Sequence, residues 1–62
     1  MCESSAYLVK GKSREILMKD VVKATVDGDK VTFTNILGET KSVAGRLAEV
    51  NLIGHSLTIV ES

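Results

Sequence analysis

Apolar residues recur at every second position along most of this chain, the period of strands with one covered face. The clearest unit is VVKATVDGDKVTFTNI. Val22, Ala24 and Val26 alternate with polar neighbours, Asp27, Gly28 and Asp29 supply turn chemistry, and Val31, Phe33 and Asn35 resume the alternation. This predicts a β-hairpin whose two-residue loop is Gly28-Asp29 or Asp27-Gly28, and the residues do not choose between them. A second hairpin is predicted from Leu47, Val50 and Leu52, through Gly54-His55-Ser56, to Leu57, Ile59 and Val60. Residues 6–10 and 15–18 flank Gly11-Lys12-Ser13 and predict another. Leu37-Gly38-Glu39-Thr40 marks a further turn into a short segment at 39–43, and Gly45 interrupts the chain again.

Six or seven short strands with glycine turns at near-regular spacing predict an all-β domain, a small barrel or a sandwich. Only residues 43–50 compete as a turn or two of helix, since Ala44, Arg46, Leu47, Ala48 and Glu49 all form helix well. Strand and brief helix both stay open there. The chain has no proline, and no linker, low-complexity stretch or internal repeat divides it, so residues 1–62 read as one small domain. A chain this short is expected to risk one unpaired edge strand, which only scattered lysines would blunt. Such an edge, or an apolar barrel face, would seat a second copy of the chain.

Length strengthens that expectation, because 62 residues lie near the lower limit for folding without disulfide, metal or partner subunit. A homodimer is expected. Eight basic residues balance eight acidic ones, so no electrostatic footprint for nucleic acid or anionic membrane is visible. The first apolar run, at 6–9, is far too short for a signal peptide, and no run approaches the roughly 18 apolar residues of a membrane span. With one cysteine there is no internal disulfide. The expected address is the cytoplasm.

Catalytic patterns are missing, which argues against an enzyme: no Ser, His and acid at recognisable spacing, no phosphate loop, no HExxH and no CxxC. Asp27 and Asp29 straddle a glycine but lack the other ligands of a calcium loop, so turn chemistry accounts for them. His55 reads as an exposed hairpin-tip residue, with a metal or pH-sensing role the lesser alternative. Asp20 and Glu39 read as solvated charges. Lys10, Lys12, Arg14 and Lys19 form the densest basic stretch, yet Glu15 and Asp20 lie among or beside them. Tyr7 and Phe33 are the only aromatics, too few for a stacking surface that binds single-stranded RNA, and Phe33 fits a core position.

One candidate for chemistry remains. The chain opens MCESS, with its single cysteine at a terminus, where a thiol adds little to packing. If Met1 is removed, Cys2 presents a free amine beside its thiolate and closes a five-membered chelate around a metal. If Met1 stays, the terminal amine, the Cys2 amide nitrogen and the Cys2 sulfur make two fused five-membered rings. Planar nitrogen and sulfur donors suit nickel(II) or copper(II) better than tetrahedral zinc. One chain supplies only two or three donors, so two chains meeting by their N-termini would complete a four-coordinate site. A thiol without a role, or one that oxidises to an intermolecular disulfide, is the bland alternative.

Met1-Cys2, Asp20-Val21-Val22, the hairpin around Gly28-Asp29-Lys30-Val31, the Leu37-Gly38-Glu39 turn and the closing Leu57-Thr58-Ile59-Val60-Glu61 resemble the CooT family over essentially the whole chain. That family comprises small nickel-binding proteins associated with maturation of nickel-containing carbon monoxide dehydrogenase, and related sequences have been labelled predicted RNA-binding proteins. The resemblance implies a homodimer of small SH3-like or Sm-like β-barrels that binds one nickel(II) through Cys2 of both chains. Cys2 carries over as a ligand, the Met1 and Cys2 main-chain nitrogens follow from the chelate, and Glu3 is given no role. The implied partners are a second copy and a nickel enzyme or its maturation factors. An RNA-binding barrel is the alternative function.

Overall fold

The structure is a computed structural model that describes residues 4–62. Five strands follow one another: β1 (Ser4–Lys10), β2 (Ser13–Asp27), β3 (Lys30–Asn35), β4 (Thr40–Asn51) and β5 (Ser56–Glu61). Sequence neighbours pair antiparallel, and the ring closes through parallel pairing of β1 with β5, which sets Leu8 beside Ile59. Each strand has a neighbour on both sides of the ring. The expected unpaired strand is absent among the described residues, because closure supplies its partner.

Among the described residues the strand count is five, not six or seven, because two strands are long and bent. β2 runs for 15 residues and β4 for 12. β2 pairs with β1 up to Val21 opposite Ser4, then with β3 from Val21 opposite Asn35, and the register slips between Val21 and Lys23. Asp20, at φ 56, sits at the changeover in the left-handed region. β4 changes partner in the same way, from Ala44 opposite Lys30 to Gly45 opposite Glu61, with a bulge between Leu47 and Glu49. Each bend interrupts the alternation and so imitates a turn. Residues 43–50 are strand throughout: pairing to β3 and then β5 overrides their helix propensity.

The β2–β3 loop is Gly28-Asp29, since Asp27 pairs with Lys30. Gly28 has φ 62 and Asp29 is not left-handed, the pattern of a type II′ hairpin turn. Ala6, Leu8, Val21, Val31, Phe33 and Ile59 form the core, with Leu17, Met18, Val43, Leu47 and Leu57 packed against it. Phe33 is fully buried, as a core position requires. The valine alternation of the hairpin fares differently. Val21 rather than Val22 enters the core, because the register slip shifts the alternation. Ala24 and Val26 stand opposite Phe33 and Val31 yet remain exposed, since beyond Val21 the described pairings of β2 are with β3 alone.

Candidate metal centre

Main-chain rungs fix where the described chain begins. Ser4 stands opposite Val21, and Ser5 stands beside Ser56 while its N–H donates to the His55 carbonyl at 2.9 Å. The start of β1 is therefore held between the bend of β2 and the β4–β5 turn. The β3–β4 turn reaches the same end of the barrel, because Asn35 pairs with Val21 and the Ile36 N–H donates to the Asp20 carbonyl at 2.9 Å. Two turns, one bend and the chain start thus share one rim.

That rim is locked by Asn35, a buried polar side chain. Its Oδ1 accepts the N–H groups of Leu37 at 3.0 Å and Glu39 at 2.9 Å, and its Nδ2 donates to Glu39 Oε1 at 2.7 Å. Glu39 is accordingly more than a solvated charge. Asp20 likewise has a structural part, forming the bend and accepting from Ile36 through its carbonyl. An asparagine whose side chain caps the next turn is a known signal, but alternation made Asn35 look like one more strand position. His55 is half-buried rather than fully exposed and holds φ 54. Its carbonyl is committed to Ser5.

The opposite rim carries the ion pairs. There Lys10 Nζ lies 3.6 Å from Glu15 and 3.8 Å from Glu61, all half-exposed, so these pairs add little stability. Asp29 belongs to that rim, accepting the Gly45 N–H through its carbonyl at 2.6 Å, and Asp27 flanks the same loop. Turn chemistry is what both aspartates do. The basic stretch is divided between uses: Lys10 faces these acids, and Arg14 lies over the Tyr7 ring at 4.0 Å. With Phe33 in the core, Tyr7 is the aromatic left at the surface.

Met1 and Cys2, the expected metal ligands, lie outside the described residues. Among the described residues no three of His, Cys, Asp and Glu come together in a way that could hold a metal ion. Among them, too, no helix is long and apolar enough to cross a membrane.

A closed five-stranded ring whose long strands bend to serve two partners defines a small β-barrel protein of the SH3-like or Sm-like kind, here with its first strand starting on the rim that Asn35 locks. Residues 1–60 match the family described as CO dehydrogenase accessory protein CooT, and the chain belongs to that family. An uncharacterized protein of Archaeoglobus fulgidus is 43% identical over 42 residues, covering 68% of this chain and 93% of its own. The fold is that of a solved structure from Carboxydothermus hydrogenoformans, a candidate CooT, which superposes with a TM-score of 0.87 at 24% identity over 98% of both chains.

Proposed function

We propose that this protein carries or stores nickel(II) in the cytoplasm for the maturation of carbon monoxide dehydrogenase, and that two chains grip one ion through their Cys2 thiolates. Membership of a family of CO dehydrogenase accessory proteins supports the client, an enzyme that contains nickel. The observation that carries the reading is the position of the chain start: Ser4 lies on an open barrel rim, two residues after the only cysteine. The proposal requires the donors that precede Ser4 to be offered to a second chain and to an acceptor protein.

The chemistry follows from the donors. Cys2 sulfur and the adjacent nitrogens form five-membered chelates, and a planar set of nitrogen and sulfur donors suits nickel(II). Each donor must lose its proton to bind, so nickel is held less tightly as pH falls. Few donors at an open rim favour release by ligand exchange: an incoming thiolate or imidazole of the acceptor displaces one donor at a time, and the metal stays divalent throughout. Such a carrier needs no catalytic group. The neutral charge and the single surface aromatic, already covered by Arg14, weigh against the RNA-binding alternative.

Replacing Cys2 tests the reading. Cys2→Ser is expected to remove the thiolate-to-nickel absorption band and to weaken binding by at least about a hundredfold, with the circular dichroism spectrum unchanged. Stoichiometric nickel binding by Cys2→Ser would refute the assignment.

A further inference from the structure

Strands β2, β1, β5 and β4 lie side by side in one wall of the barrel, and two rungs cross its outer face. On the first, Arg14 stands opposite Val9, Val9 beside Val60, and Val60 opposite Arg46, so an arginine closes each end of a valine pair. On the second, Ile16 stands opposite Tyr7, Tyr7 beside Thr58, and Thr58 opposite Glu49. These positions face outward, because Leu8 and Ile59, the residues between them in β1 and β5, are buried in the core. Ile16 is 50% exposed, and Tyr7, Val9 and Val60 are half-buried.

Among the described residues neither arginine takes part in an ion pair, since the acids beside them are already engaged. Glu15, which follows Arg14, lies 3.6 Å from Lys10 Nζ, and Glu61, which stands opposite Gly45, lies 3.8 Å from it. Arg14 Cζ is 4.0 Å from the centroid of the Tyr7 ring. Stacking of this kind holds a guanidinium at the wall and leaves its N–H edge free to donate to a carboxylate.

We infer that this wall binds an extended acidic segment of a partner protein, with one carboxylate at Arg14, one at Arg46 and an apolar side chain over Val9 and Val60. The inference goes beyond the nickel-carrier reading and does not depend on Cys2. Charge selects the class of partner, and the strand spacing selects its pattern. Three strand-to-strand steps separate Arg14 from Arg46, roughly 14 Å. An extended chain rises about 3.4 Å per residue and turns every second side chain to one face, so acids at i and i+4 with an apolar residue at i+2 match that span. Nucleic acid fits less well. Tyr7 is covered by Arg14 and offers no stacking surface, and Glu49 stands on the same wall, where it opposes a polyanion.

The probe is the peptide Thr-Glu-Thr-Val-Thr-Glu-Thr, titrated at low salt into isotope-labelled protein and followed by NMR. Saturable shifts are expected at Tyr7, Val9, Ile16 and Val60, with a dissociation constant below about 1 mM. The rearranged peptide Thr-Thr-Glu-Val-Glu-Thr-Thr has the same charge and composition but cannot reach both arginines, and should bind about fivefold more weakly. Arg14→Gln and Arg46→Gln should each weaken binding of the first peptide about fivefold, and together about twentyfold, with the circular dichroism spectrum unchanged. Cys2→Ser should bind the peptide as wild type does, and the double arginine variant should bind nickel as wild type does, so the two readings fail separately. Equal binding of the two peptides, undiminished binding by the double variant, or no shifts at millimolar peptide would overturn the inference. Stronger shifts of the same signals by an oligouridylate would also overturn it and assign the wall to nucleic acid.

Discussion

Three hydrogen bonds converge on the side chain of Asn35, two from main-chain N–H groups of the following turn and one to the Glu39 carboxylate. Because Asn35 is buried, removing its amide would leave these N–H groups short of partners inside the protein. Asn35→Ala is expected to destabilise the fold by roughly 2 kcal/mol, read as a lower urea midpoint with an unchanged slope. A loss below about 0.5 kcal/mol would mean that water replaces the side chain readily. The same substitution should loosen Ile36 and Leu37, which lie in the turn that Asn35 holds. Alternation placed Phe33 correctly in the core, whereas Cys2, singled out as the one cysteine ahead of the first strand, lies outside the described residues. It could not show that Asn35 closes a turn, because that role depends on where residues 37 and 39 come to rest.

Strands β2 and β4 each change partner half-way, and each change needs a local device. For β4 the device is Gly45. A Cβ at this position would sit 2.5 Å from the Val60 carbonyl oxygen and 3.0 Å from Ile59 Cγ2, both on the neighbouring strand. Gly45→Ala should therefore cost about 2 kcal/mol, since the obstructing oxygen is backbone and cannot rotate away. Thermal unfolding of the variant checks this, and an unchanged midpoint would show that β4 and β5 can separate freely. Element type was legible because half-covered strands leave a period of two. Strand number was not: a bulge breaks the period in the same way that a loop does, and only pairing to both partners distinguishes them. The exposure of Val22, Ala24 and Val26 was hidden for a related reason. An apolar position predicts a face, but its cover depends on how far the neighbouring strands extend.

The two rims of the barrel differ in character. One gathers ion pairs, the C-terminal end of β5 and the Gly28-Asp29 loop; the other gathers the chain start and most of the exposed apolar surface. Among the described residues six apolar side chains are fully or nearly buried, a small core to which a second chain, as the proposed function requires, would add. Under the proposed function, that second chain also supplies the second Cys2 thiolate. Charge and composition limited the choice of partners from the outset, but no pattern in the chain could reveal which turns share a rim, since these are joined by rungs between residues far apart in sequence. The central claim concerns number as much as affinity. Native mass measurement during titration with nickel(II) under reducing conditions is expected to reach one nickel per two chains and stop there. Saturation at one nickel per chain, or a dimer that takes up none, would contradict the account.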